Sequence, residues 1–436
     1  MRMSVIGCGY LGAVHAAAMA SIGHEVIGID TDPEKIAALA AGRAPFFEPG
    51  LDELLASGVA SGRLTFSVDI ADARGAQVHF VAVGTPQQPD GSAADLRYVH
   101  GALDALLPHL RPGDVVAGKS TVPVGTAAAL AERVADAGAT LVWNPEFLRE
   151  GWAVHDTLHP DRLVVGTAGG EAGERAVEVL REAYADAISG GSPFLVTDLA
   201  TAELVKGAAN AFLATKISFI NAMAEIAEAA GADVTRLAEA IGHDERIGRR
   251  FLGAGIGFGG GCLPKDIRAF AARAEELGRG ASVGFLREVD AINLRRREHA
   301  VRLVVDAFGG SVVGRRITML GAAFKPHSDD VRDSPALEVA VRLRGMGAKV
   351  RVTDPEALAN AAAVHPQLKY VADRDKALTG ADAVVLVTEW DLYRRELAPE
   401  HASTLARGRI IVDGRNCLDP QAWRAAGWTY LGMGRP

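Results

Sequence analysis

Residues 3–30, MSVIGCGYLGAVHAAAMASIGHEVIGID, decide the fold. The apolar run Met3–Ile6 reads as a buried strand, and Gly7, Gly9 and Gly12 punctuate its passage into an alanine-rich helical run. A second apolar run, Val26–Ile29, ends on Asp30. In this βαβ unit the first glycine permits the tight turn, the second lets a pyrophosphate approach the backbone, and the third lets the helix pack on the strand. Asp30 stands where a carboxylate accepts the ribose hydroxyls of an adenosine, which favours NAD over NADP. Gly7, Gly9, Leu11, Gly12 and Asp30 are therefore read as the dinucleotide site. Lys35 either lies near that ribose or is a solvated helix lysine.

Outward from this unit, QVHFVAVGTP, GDVVAGKST, ATLVWNPEF, RLVVG and FLVTD continue the strand pattern, which predicts a parallel doubly wound sheet. From Leu199 to Ala230 the pattern becomes one long helical segment, about 45 Å if continuous. After Arg315 the βαβ rhythm returns in RITMLGAA, KVRVTDP, ADAVVLVTEW and RIIVDGRN. The fold class is α/β: two Rossmann-like doubly wound domains, residues 1–198 and 311–436, joined by a central helical domain, residues 199–310, with a long spine helix. The second half lacks two of the glycines in Gly321-Ala322-Ala323-Phe324, so it is expected to hold a single nucleotide or a nucleotide-linked group.

With 436 residues, 49% hydrophobic, the chain has material for several buried cores. A net charge of -8 argues against nucleic-acid and polybasic membrane surfaces, and no apolar run is long enough to span a bilayer. Cys8, Cys262 and Cys417 are too scattered for a disulfide framework, which fits a cytoplasmic protein. His155 and His159 have metal-like spacing, but Pro160 breaks the helix and no third ligand is evident, so no metal is expected.

Several residues bear chemistry. Cys262 lies in GFGGGCLPKD, where glycines let a substrate approach the backbone and Lys265 can help hold a thiolate. Cys8 and Cys417 read as packing. Lys206 and Asn210, four apart on the spine helix, share a face; they are either a pair aimed at a substrate oxygen or a solvated lysine and a satisfied amide. Glu146 and Glu150, in NPEFLREG, and Thr121, in KSTVP, follow strands at the carboxyl edge where α/β sheets bind ligands. Caps or solvated side chains are the bland alternative.

GCGYLG, KSTVPVG, NPEFLREG, the Lys206–Asn210 pair, GFGGGCLPKD and FKPHSDDVRDSPAL occur in that order over nearly the whole chain. The sequence resembles the nucleotide-sugar dehydrogenases of the UDP-glucose/GDP-mannose dehydrogenase family. The resemblance implies that Cys262 is the nucleophile, with Lys206, Asn210 and Asp266 in oxyanion binding and water handling, and with Glu146 and Thr121 positioning a catalytic water. It implies NAD contacts at Asp30, Lys35, Thr85, Thr121, Glu150, Lys265 and Arg332, the last two from outside the NAD domain. For the sugar nucleotide it implies Glu146, Phe147, Leu148, Arg149, Glu150, Lys206, Asn210, the run Phe251, Leu252, Gly253, Ala254 and Gly255, then Gly259 and Lys325. The family often has Ser and Phe flanking the cysteine, where this chain has Gly261 and Leu263; Gly261 is expected to loosen the loop.

The implied reaction removes four electrons, so two NAD serve each sugar: alcohol to aldehyde, thiohemiacetal on Cys262, thioester, then hydrolysis to the acid. NPEFLREG with VRDSPAL points to UDP-glucose; GDP-mannose and UDP-N-acetylmannosamine are the rival substrates. A two-electron hydroxy-acid dehydrogenase needs neither the cysteine nor a third domain, and an NAD-sensing scaffold would not keep Cys262, Lys206, Asn210 and Asp266 together. A homodimer through the central helix is the family expectation.

Overall fold

Short runs of Val, Ile, Leu and Phe, buried on both faces, make the inner strands of the first sheet in the way a helix-covered parallel sheet requires. The computed structural model describes residues 1–436. The strands are β1 (Arg2–Ile6), β2 (Glu25–Ile29), β3 (Leu64–Ser67), β4 (Val78–Val81), β5 (Val115–Gly118), β6 (Thr140–Trp143), β7 (Leu163–Thr167) and β8 (Phe194–Asp198). Their order is β3-β2-β1-β4-β5-β6-β7-β8. Side chains alternate between two cores: Met3, Val5, Val115 and Val142 enter one, and Ile6, Val116, Leu141 and Trp143 the other. The expectation of a uniformly parallel sheet needs one correction, because β6 and β7 are antiparallel. The connection between them, residues 144–162, carries only the short helix Ala153–Leu158 and returns the chain from the edge where it left.

The chain packs as two compact units, residues 1–209 with 272–278, and residues 210–271 with 279–436. The helix Leu199–Ala230 is continuous over 32 residues, as its pattern predicts, and carries the chain from the first unit into the second. The second unit holds a wholly parallel sheet of β9 (Arg316–Leu320), β10 (Lys349–Thr353), β11 (Lys369–Tyr370), β12 (Ala383–Leu386), β13 (Ile410–Asp413) and β14 (Thr429–Gly432), in the order β11-β10-β9-β12-β13-β14. Three strands escaped the sequence pattern. β3 and β11 are short edge strands with few buried side chains, and β14 is half exposed in alternation. No helix is long and apolar enough to cross a membrane.

The helix Phe285–Ala307 buries a stripe of Leu286, Val289, Asn293, Arg296, Arg297, Ala300, Val301 and Val304 at helical spacing. Three polar residues in the middle of an apolar stripe need partners. Arg297 donates to the Phe258 carbonyl (3.0 Å) and pairs with Asp333 (2.8 Å) and Glu338 (2.5 Å). Arg297→Leu should therefore cost about 3 kcal/mol, since it removes the cation that Asp333 and Glu338 share and one of the two donors to the Phe258 carbonyl. Chemical denaturation checks this, and a loss no larger than that of an exposed ion pair would refute the structural role.

Candidate active site

The glycines of GCGYLG divide by what surrounds them. Gly7 has φ +90°, and a Cβ there would stand 2.7 Å from Val83 Cγ1. A Cβ on Gly12 would stand 1.8 Å from the Gly7 carbonyl oxygen, so this position must be glycine for the helix to meet the strand. Around Gly9 there is nothing within 4 Å of that position. Two glycines are thus demanded by the protein itself, and the third faces open space at the start of the helix Tyr10–Ser21. That helix has no side-chain cap and no acidic residue in its first turn, so its leading amides are left for an anion. A pyrophosphate fits this cradle, and Gly7, Gly9 and Gly12 with Asp30 are the residues that would hold NAD.

Asp30 is already ordered. It accepts from Cys8 N (2.8 Å), Asp32 N (3.1 Å) and Lys35 Nζ (3.0 Å), so Lys35 is a partner of Asp30. Burial, reinforced by the Asp30 charge, pushes the Cys8 thiol up to about 12, in keeping with a packing role. Tyr10 was missed by sequence reasoning. Its hydroxyl donates to buried Glu48, which also accepts from Gly151 N (2.6 Å) and Ala153 N (2.7 Å). The cofactor turn is thereby tied to the segment that carries buried Glu150.

Thr121 lies on a segment held at several points. Thr85 Oγ1 donates to the Thr121 carbonyl (2.8 Å), and Ser120 Oγ to the Val83 carbonyl (2.7 Å). Glu203, buried on the spine helix, accepts from Gly125 N (2.7 Å) and Ala127 N (2.6 Å) and so caps the helix Thr126–Asp136. Burial raises its pKa against the pull of those amides. One turn further on, Lys206 pairs with Glu146 at 3.0 Å. Both are largely buried, which decides between the two readings of Lys206 against a solvated lysine. Glu146 also accepts from Leu148 N (2.8 Å). Phe147 lies under the Arg162 guanidinium (3.8 Å), and Arg149 forks onto Asp156 (2.8 and 2.7 Å).

In the second unit Cys262 is exposed, and its carbonyl accepts the first helical bond of Leu263–Glu276, from Asp266 N (2.9 Å). The residue thus stands at the N-terminal, positive end of that helix. Asp266 gathers the polar partners: Asn210 Nδ2 donates to one oxygen (2.7 Å) and Lys265 Nζ to the other (2.6 Å). Cys417 is driven far up by burial and by Asp413, so Cys262 is the cysteine available for reaction.

The glycine-rich loop is a correction. Glycine there was expected to admit substrate, yet the protein fills most of that space. A Cβ at Gly255 would meet the Gly414 carbonyl (2.4 Å), at Gly257 Asn293 Oδ1 (2.2 Å), at Gly259 the Asp333 carbonyl (2.3 Å) and at Gly260 the Phe324 ring (2.7 Å). At Gly261 it would meet the Arg332 guanidinium (2.2 Å), which packs over the residue and takes the room a serine would need. Only Gly253 is open. Leu252 and Ala254 are buried in the core with Ile220 and Val234, so only their backbone is available to a ligand. Phe251 has φ +65° and stays partly exposed, and Lys325 lies over the Phe324 ring (5.4 Å). In the second sheet both Ala322 N (2.8 Å) and Ala323 N (3.1 Å) donate to Asp354. The amide matching Gly9 is consumed there, so this turn is no second dinucleotide cradle.

Three family models match the chain, all of the UDP-glucose/GDP-mannose dehydrogenase family: its NAD binding domain over residues 1–187, its central domain over residues 200–295 and its UDP binding domain over residues 318–420. A UDP-glucose 6-dehydrogenase of Rhizobium meliloti is 42% identical over 441 residues, covering 100% of both chains. The structure of a UDP-glucose dehydrogenase from Pyrobaculum islandicum superposes with a TM-score of 0.90 at 40% identity, covering 100% of this chain and 98% of that one. A UDP-D-ManNAc dehydrogenase from Pyrococcus horikoshii gives 0.86 at 27% identity, covering 100% and 99%.

The glycine geometry separates two substitutions. Gly12→Ala should lower the melting temperature, because its methyl group collides with the Gly7 carbonyl. Gly9→Ala should melt like the wild type and bind NAD about tenfold more weakly, because its methyl group intrudes only on the ligand. Calorimetry of folding and of NAD binding reads both, and a Gly9→Ala protein with normal affinity would remove the cradle from its assigned place.

Proposed function

The chain belongs to the UDP-glucose/GDP-mannose dehydrogenase family, and we propose that it oxidises C6 of UDP-glucose from alcohol to carboxylate. The observation that carries this reading is Cys262, exposed at a helix N-terminus beside the Asn210–Asp266–Lys265 cluster. NAD supplies the hydride acceptor, and two are used for each sugar. The C6 hydroxyl loses a hydride and a proton to become an aldehyde. The Cys262 sulfur then bonds to C6, and Asn210 and Lys206 stabilise the oxygen as it gains charge. Loss of a second hydride leaves a thioester. Water, deprotonated at Glu146 with Thr121 orienting it and Asp266 assisting, adds to C6; the C–S bond breaks and the thiolate returns. One alcohol, one water and two oxidised cofactors give one carboxylate, two reduced cofactors and three protons.

Residues 1–198 take the cofactor, 199–310 supply the cysteine loop, and 311–436 with that loop hold the uridine nucleotide, with Lys325 as a cation for its phosphates. The relatives named for UDP-glucose are the more identical ones, which favours glucose over N-acetylmannosamine. The test offers the purified protein UDP-glucose, UDP-N-acetylmannosamine and GDP-mannose with NAD. Two NADH per sugar consumed, from UDP-glucose alone, is expected. Activity on another sugar only, or one NADH per sugar, overturns the assignment. Cys262→Ala should form no acid, and full-rate acid formation by this variant would remove the covalent route.

We also infer a homodimer. On the spine helix Phe212, Phe219 and Ile226 are 66%, 48% and 60% exposed and spaced by sevens, so they form one apolar stripe suited to a matching helix. No disulfide joins the three cysteines, which suits the reducing cytoplasm. Phe219→Glu should shift the sedimentation of a dimer to that of a monomer. A wild type that sediments as a monomer, or a variant that stays dimeric, contradicts this.

A further inference from the structure

Lys119, the residue after β5, has its side chain buried and finds only neutral hydrogen-bond partners. Its Nζ donates to Asn144 Oδ1 (3.0 Å), to the Asn144 carbonyl (3.4 Å) and to the Tyr184 hydroxyl (3.2 Å). Asn144 is fixed on every side: Tyr184 OH donates to its Oδ1 (2.7 Å), its Nδ2 donates to the Val164 carbonyl (2.8 Å), and its backbone N to the Gly118 carbonyl (2.8 Å). A buried ammonium without a directly bonded carboxylate is costly, and a chain selected for stability alone would put an apolar residue here.

What offsets that cost is Glu146, two residues beyond Asn144. Lys119 and Glu146 line one cavity of about 50 Å³, together with His15, Phe147 and Tyr184. The cavity has polar groups among its lining and is large enough for ordered water, and the buried His15 Nε2 has no protein partner. Glu146 is the attracting charge on Lys119, and Lys206 is the repelling one. Glu146 therefore stands in the field of two lysines, one bonded to it at 3.0 Å and one lining the same cavity.

We propose that Lys119 is a positioning residue for the hydrolytic step: anchored on Asn144 and Tyr184, its ammonium fixes the Asn144–Pro145–Glu146 segment and so holds Glu146 in place as the base, with a second positive charge beside it. The inference rests on the role given to Glu146 above. Burial, with Lys206 assisting and Glu146 opposing, brings the Lys119 pKa down to about 8. Among its neighbours, His15 is held neutral by burial and by the Lys119 charge, and burial keeps the Tyr184 hydroxyl protonated. Asp156, Asp161 and Arg162 complete the charged lining of the cavity. The Lys119 charge is present below pH 8 and lost above it, while neither ring changes charge between pH 7 and 9.

The test compares wild type, Lys119→Met and Lys119→Arg on UDP-glucose with NAD from pH 6.5 to 9.5, with melting temperatures and the mass of acid-quenched protein. Below pH 8 the wild type should turn over about tenfold faster than Lys119→Met, with KM for the sugar little changed and a covalent sugar adduct accumulating on the variant. That ratio should fall toward one as the wild-type lysine loses its proton, and Lys119→Arg, which stays charged, should not show the fall. Lys119→Met should melt no lower than the wild type at pH 7, because removing a buried charge relieves its desolvation. A ratio of one at every pH overturns the inference, as does a pH-independent loss that tracks a lower melting temperature. A wild type that forms no NADH from UDP-glucose fails the assigned activity first and the inference with it. Normal wild-type turnover with an indistinguishable Lys119→Met variant fails the inference alone.

Discussion

A buried stretch of chain with no helix or strand must find a partner for every backbone group, and the loop leading to Cys262 is such a stretch. Its carbonyls are taken one by one. Asn416 bonds Ala254 (3.1 Å), Arg296 bonds Gly255 (3.3 Å), Arg415 bonds Gly257 (2.8 Å), and Asn293 with Arg297 bonds Phe258 (2.9 and 3.0 Å). Its amides are taken as well, Gly255 N by Asn221 Oδ1 (2.9 Å), Ile256 N by the Gly414 carbonyl (2.8 Å) and Phe258 N by Asn293 Oδ1 (2.8 Å). The crowded glycines follow from this: the clamps draw the backbone so close to its neighbours that no side chain fits. The cysteine is placed by a loop whose conformation is determined from inside the protein.

The same demand explains why the two sheets, alike in their strand order, differ in use. In the first, the Asp30 carboxylate takes one amide of the turn and leaves the Gly9 position open to a ligand. In the second, Asp354 takes two amides of the turn and one donor from Trp390 (3.1 Å). A small change in which amides a carboxylate satisfies thus separates a cofactor turn from a structural one, on a backbone pattern that both halves share.

Much of this was legible because it is local. GCGYLG with Asp30, the spine helix and the repeated βαβ rhythm are set by residues near one another in sequence, and the structure has them where the pattern predicts. The clamps were not legible. Asn293, Arg296 and Arg297 sit at buried-stripe positions of an amphipathic helix, a detectable signal, but their partners are 35 to 41 residues away in sequence for Phe258 and Gly255. Glu48 and Glu203 are ordinary acids by composition, and only long-range folding aims them at Gly151 and at the Thr126–Asp136 helix. The loop glycines show the same limit: protein crowds the side that a Cβ would take, and sequence cannot say whether the space beside a glycine belongs to ligand or to protein.

Charge is distributed on the same logic. Each unit holds a largely buried carboxylate paired with a lysine and bonded to an amide: Glu146 with Lys206 and Leu148 N, and Asp266 with Lys265 and the Asn210 side chain. Such pairs contribute little net stability, because desolvation consumes most of their attraction. What they provide is fixed charge that need not reorganise when a substrate oxygen changes its own charge, the property on which electrostatic catalysis depends. A protein that holds two ordered acid–lysine sets has, in each unit, a charged group whose position is settled by its own hydrogen bonds.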